Sequence, residues 1–245
     1  MRSQCALTTA LLLFAAATSV YADEFLLWDN YPGDVLQDVT FNMSSERNTQ
    51  VVESTWVVDD VDMAQVPGRI DPNAITLTRL QWVGARHPDY SYSLADVIVL
   101  DSDPNGPGSV AYLGQNLSYS FTDFDPDPNP DPDAQTYTGV LTLPQPVPVP
   151  GEHFYIGVRL VGDGYLEGRN YSVTSSIDST LRGRTEGYIK AAIFGAPDWR
   201  PASDVWYGGP TPTENFEFAF RVWAVPEPAS LGLLLAGSVL LVRRR

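Results

Sequence analysis

Residues 215–223 read NFEFAFRVW. Phe216, Phe218, Phe220 and Val222 alternate with Glu217, Ala219, Arg221 and Trp223. Successive side chains of an extended strand point to opposite faces, so this pattern predicts a strand with one face buried and one wet. Residues 153–161, HFYIGVRLV, repeat the alternation, with Phe154, Ile156, Val158 and Leu160 on one side and Tyr155, Gly157, Arg159 and Val161 on the other. Similar runs lie at DVTFNM, TQVVESTWVV, AITLTRLQWVG, LADVIVLD, LSYSFTDF, TYTGVLTL and EGYIKAAIFG. In AITLTRLQWVG the apolar phase slips between Leu77 and Leu80, which predicts a bulge. Gly, Pro, Asn or Asp fills nearly every gap between runs, and no stretch of the central region has convincing helical periodicity. The expected fold is all-β: an antiparallel sandwich of ten to twelve strands, of jelly-roll type, in a single domain.

Composition agrees. The chain has 245 residues and a net charge of −15. Nucleic acids and anionic membrane surfaces are bound through Lys and Arg patches, so this balance argues against both as direct partners.

The two ends read differently. Arg2 precedes an apolar run from Ala6 to about Ala17, and Val20-Tyr21-Ala22 places small residues where a signal peptidase cuts. Residues 1–22 therefore read as a secretory signal helix cleaved after Ala22. Cys5, the only cysteine, would leave with it, so the exported chain holds no disulfide. At the other end, Val225-Pro226-Glu227-Pro228 is followed by 14 uncharged residues, Ala229 to Val242, and then by Arg243, Arg244 and Arg245. As a helix those 14 residues span about 21 Å, short of the roughly 30 Å of bilayer hydrocarbon. Such a helix anchors transiently, with its arginines on the cytoplasmic side. Without both ends, residues 23–225 carry 11 basic and 29 acidic side chains, a net of −18.

The tail resembles the PEP-CTERM sorting signal: Pro226-Glu227-Pro228, an apolar stretch and an arginine cluster. The resemblance covers about twenty residues and says nothing of the domain before them. It implies residues 226–245 as a signal recognised by an exosortase-type membrane enzyme, in a Gram-negative bacterium that makes exopolysaccharide. It also implies export to the cell surface or matrix through the inner membrane. Pro226, Glu227 and Pro228 are then recognition residues for processing.

Few residues suggest chemistry. His87 and His153 are the only histidines. A Ser-His-Asp arrangement would need one of them, and no G-x-S-x-G is present. Carboxylates are plentiful enough for a glycosidase pair, although Glu167, Glu186, Glu214 and Glu217 each read as turn or outward strand residues. Asp101, Asp103, Asn105 and Gly106 open like a calcium loop, but the twelfth position falls on Tyr112, so only a shorter calcium turn is expected. Residues 123–134, DFDPDPNPDPDA, place oxygens on alternate residues. Proline holds that stretch in a polyproline II rod, on which residues two apart diverge around the axis, so it reads as a solvated acidic loop. LPQPVPVPGEH reads as a second, uncharged spacer. Trp199, Trp206 and Tyr207 lie in APDWRPASDVWYGGPT, a loop where rings are free to stack on sugars, whereas Trp56 and Trp82 read as core.

The expected protein is thus an exported surface or matrix protein with a structural or adhesive role, binding extracellular polysaccharide and needing no cofactor unless calcium fills the 101–106 turn. A secreted carbohydrate-active hydrolase and a calcium-binding matrix protein are the rival readings.

Overall fold

The structure is a computed structural model and describes residues 23–30, 42–49, 54–86, 92–123, 135–162, 170–176, 183–205 and 216–227. The expected signal helix, most of the acidic proline stretch and the expected apolar tail helix lie outside these residues. The strands are β1 (Phe25–Asp29), β2 (Asn42–Ser44), β3 (Glu46–Asn48), β4 (Thr55–Asp62), β5 (Ile75–Arg86), β6 (Leu94–Asp103), β7 (Gly106–Ser118) and β8 (Ser120–Asp123). They continue as β9 (Gln135–Pro148), β10 (His153–Gly162), β11 (Asn170–Ser176), β12 (Tyr188–Ala191), β13 (Ala196–Pro201), β14 (Glu217–Phe218) and β15 (Phe220–Pro226). Among the described residues the helical content is single 3-10 turns at Pro72–Ala74, Ala192–Phe194 and Ala202–Asp204.

Two sheets result. In the first, the order is β1-β15-β5-β11-β14, with β9 and then β8 on the other edge of β5 and β2 on β11. In the second, the order is β13-β12-β4-β10-β6-β7. The ladders are antiparallel except for β3, which joins β10 in parallel. The fold is therefore all-β and sandwich-like. Leu77, Leu80, Trp82 and Leu141 of the first sheet meet Val97, Val99, Phe154 and Ile156 of the second in one interior cluster.

The phase slip in β5 is a bulge. Arg79 pairs with Trp223 and Leu77 with Ala224, so Thr78 is the extra residue. Its hydroxyl donates to Glu24 Oε1 at 2.7 Å. On the other edge, Leu77 pairs with Val147 and Arg79 with Thr142, so Leu143 to Pro146 leave the ladder at the same place. The proline-rich stretch is thus no spacer. It is the end of β9, where prolines that cannot donate sit in the ladder's irregular part, while Val147 and Val149 enter the core.

Two alternating strands depart from the one-wet-face expectation. β10 is central, and its second face is also buried: Tyr155 is covered by Trp56, Val58, Ile98, Leu100 and Tyr188. In 215–223 the strand divides at Ala219. Phe216 and Phe218 pack with Met43, Val57 and Ile189, whereas Phe220 and Val222 join the main interior. Glu217, expected to face outward, is fully buried.

Candidate functional site

β4 begins TWVVDDVD, and all eight residues are buried. Alternation sends the three acids to different places. Asp59 points between the sheets with Val57 and Val61; Asp60 and Asp62 point to the outer face of the second sheet with Trp56 and Val58. Burying three carboxylates on one strand is costly unless each is partnered.

Asp60 is partnered across the sheet. β10 lies between β4 and β6, with Tyr155 opposite Asp60 on one side and opposite Leu100 on the other. Two residues earlier on the same face stands His153, opposite Asp62. Its Nε2 lies 2.6 Å from Asp60 Oδ2 and its Nδ1 lies 2.7 Å from Ser102 Oγ of β6. Asp60 Oδ2 also accepts backbone N–H bonds from Arg184 at 2.6 Å and Thr185 at 3.4 Å. Its other oxygen is buried against Gly183, where a Cβ would collide with it. An aspartate acting as acceptor requires Nε2 to carry the proton, so Nδ1 accepts from the Ser102 hydroxyl. Three adjacent strands thus assemble a linear Ser102–His153–Asp60 array.

Ser102 and His153 line an end cleft of about 760 Å³, with Asn105, Glu152, Arg184 and Tyr188 among its walls, while Asp60 lies buried behind His153. Burial raises the pKa of Tyr155, which stays a neutral phenol 3.0 Å from Thr185 Oγ1. The rings of His153, Tyr155 and Tyr188 stack edge to face in sequence, at 5.2 and 5.5 Å. Arg184 reaches Asp62 Oδ1 at 2.9 Å, and the Asp62 pKa is lowered. Burial opposes that shift, but the Arg184 and Ala64 hydrogen bonds outweigh it.

The calcium-turn residues form one rim of this cleft. Asp101 Oδ1 accepts from Ser109 N, and Asp103 Oδ1 accepts from Asn105 N at 2.7 Å. These carboxylates tie their own hairpin together. Gly106 has φ +130°, and a Cβ there would stand 2.6 Å from Tyr188 Cε1. Among the described residues no group of three or more His, Cys, Asp or Glu side chains is gathered to hold a metal ion.

Farther along the same outer face runs a groove of about 490 Å³, lined by Trp56, Trp199, Ile98, Leu100, Val110 and Lys190. Trp199 belongs to β13 rather than to a loop, and packs half-buried against the outer apolar cluster. Trp56 is buried, as expected, and one face of its ring is covered by Arg159, whose guanidinium carbon sits 4.0 Å from the ring centroid. Arg159 and Arg47 both hold Asp96, at 2.9 and 2.7 Å. Trp82 is core, as expected. His87, Trp206, Tyr207, Glu167 and Glu214 lie outside the described residues. Glu186 accepts from Ser203 N at 3.0 Å and so pins the 3-10 turn at Ala202–Asp204.

At the tail, Pro226 still pairs with Ile75, and Glu227 N–H donates to Ala74 O at 2.7 Å. The strand therefore runs through Pro226. Ala22, Pro228, Arg243, Arg244 and Arg245 lie outside the described residues. No helix among the described residues is long and apolar enough to cross a membrane.

Ser102 and Asp60 were not legible as site residues. No motif marks them, and residues 60, 102 and 153 meet only through the strand order β4-β10-β6. The available signal was the run of three acids in an otherwise apolar strand, which flags buried, partnered carboxylates. No protein-family model matches the chain, and comparison with curated proteins and with solved structures finds no match.

Proposed function

We propose that this is an exported bacterial surface or matrix protein that binds glycan along the outer face of its second sheet. The observation that carries the reading is the groove on that face, walled by the half-buried Trp199 and floored by the buried Trp56. Flat aromatic rings beside polar rims suit sugar rings, whose C–H faces are apolar and whose edges are hydroxylated. We read the sandwich as jelly-roll-like, supported by the pairing of the first and last strands among the described residues, β1 with β15. Delivery rests on the resemblance of residues 226–245 to a PEP-CTERM signal: an exosortase-type enzyme would act on Pro226-Glu227-Pro228 while the short helix and Arg243–Arg245 hold the chain in the inner membrane. Residues 1–22 would direct export, with cleavage after Ala22.

Deleting residues 229–245, which leaves the docked Pro226 and Glu227 in place, tests delivery. The account expects the protein to leave the cell surface for the medium; unchanged retention contradicts the sorting claim. Pull-down on the producing cell's own extracellular polysaccharide, with calcium and then with chelator, tests the binding. Binding that survives chelation supports the aromatic groove. Binding lost on chelation favours a calcium-dependent surface at Asp101, Asp103 and Asn105 instead.

A further inference from the structure

The end cleft holds more than a binding surface needs. We propose that Ser102, His153 and Asp60 form an acyl-transfer site that hydrolyses carboxylic esters. The structure supplies three features of such a site. The hydroxyl is bonded to an imidazole nitrogen, Ser102 Oγ to His153 Nδ1 at 2.7 Å. The second imidazole nitrogen is bonded to a carboxylate with no exposed surface, Asp60 Oδ2 at 2.6 Å. That carboxylate is itself fixed by the backbone N–H groups of Arg184 and Thr185. A buried acceptor held in this way fixes the tautomer and steadies an imidazolium when one forms. Ser102 meets Nδ1 and Asp60 meets Nε2, the reverse of the usual assignment. Either ring nitrogen can accept the proton while the other donates to the carboxylate, so the relay runs in the same sense with the partners exchanged.

The reaction runs in two balanced halves. Ser102 Oγ attacks the ester carbonyl carbon as its proton passes to His153 Nδ1, and the carbonyl π pair moves onto oxygen. The adduct collapses by breaking the bond to the alkoxy oxygen, which takes the proton from His153 and leaves as alcohol. Water then attacks the acyl-serine, giving its proton to Nδ1. The second collapse breaks the Ser102 ester, returns that proton to Oγ and releases the carboxylic acid. Ester and water become acid and alcohol, with no other reactant. The cleft's donors include the Arg184 guanidinium and the Tyr155 and Tyr188 hydroxyls, already bonded to Asp62, Thr185 and the Asn105 carbonyl, so an oxyanion would have to compete with one of those bonds.

The substrate class is a carboxylic ester of an alcohol. Because the aromatic groove shares the same sheet face, O-acyl substituents of a bound glycan are the fitting natural substrate. That refinement rests on the glycan reading; the esterase claim does not.

The test uses the full chain in detergent, with p-nitrophenyl acetate as substrate and a fluorophosphonate as covalent probe. The expected result is turnover above buffer, a single phosphonylated serine mapped to Ser102 by peptide mass spectrometry, and at least about a 100-fold loss in Ser102→Ala. Ser102→Ala removes one hydroxyl from a partly exposed site, so its melting temperature should match the parent's, which separates lost chemistry from lost fold. Asp60→Asn should lower turnover while leaving Ser102 in place. Turnover equal in parent and Ser102→Ala, or no adduct on Ser102, overturns the proposal. Failure to bind polysaccharide, with ester turnover intact, would instead remove only the glycan reading.

Discussion

Asp59 and Glu217 face each other inside the sandwich across one amide. Asn30 Nδ2 lies 3.2 Å from Asp59 Oδ2 and 3.4 Å from Glu217 Oε2. Both carboxyls are fully buried. Asp59 also accepts from Phe218 N at 2.6 Å and Asp60 N at 2.8 Å, so it ties the strand break at Ala219 to β4. Burial, then the nearby Glu217 carboxyl, pushes the Asp59 pKa well above the ordinary carboxylate range. The pair is enclosed where no glycoside reaches it, so it is a structural pair and not a glycosidase pair.

That pair makes stability fall as pH rises. A carboxyl whose folded pKa is raised contributes fully below its unfolded value, about 3.9, and loses that contribution as pH climbs through the folded value. Glu217→Gln removes the neighbouring charge and keeps the shape. It should raise the melting temperature at pH 7.5 by about 2–4 °C, the equivalent of roughly 1 kcal/mol in a chain of this size. At pH 4 it should change little. Melting curves across that range check both statements.

Asp96 acts in the opposite window. Burial disfavours its charge, but bonds from Arg47 and Asn116 N and the charge of Arg159 outweigh burial and lower its pKa. Its contribution is therefore present above about pH 3.9 and lost as pH falls through the folded value. Asp96→Asn strands Arg159 in the outer apolar cluster and should cost about 3–5 kcal/mol, read from urea unfolding at pH 7.

Gly106→Ala should destabilise by about 1–3 kcal/mol, since it adds both a disfavoured φ and a collision with Tyr188. The same variant should shift Tyr188 and so reshape the wall of the end cleft. Thermal melting, with near-ultraviolet circular dichroism for the tyrosine environment, reads both effects.

Much of the fold was written locally. The alternation in β10 and β15 is visible residue by residue, and the Thr78 bulge shows as a break of phase between Leu77 and Leu80. What alternation does not show is what lies over a face. Tyr155 and Arg159 look like wet-face residues, yet aromatic rings and Asp96 cover them. Glu217 looks outward until β1 brings Asn30, and β4 brings Asp59, to its side. Proline in LPQPVPVP suggests a spacer because the chain alone does not reveal that β5 bulges opposite it. The Ser102–His153–Asp60 array was hidden for the same reason, being a product of strand order and not of spacing.

Calorimetric titration of the chain with the producing cell's extracellular polysaccharide tests the outer-face account most directly. The account predicts saturable binding that survives chelator and weakens about tenfold, ~1.4 kcal/mol, in Trp199→Ala. No saturable heat, or equal affinity in parent and Trp199→Ala, would contradict it.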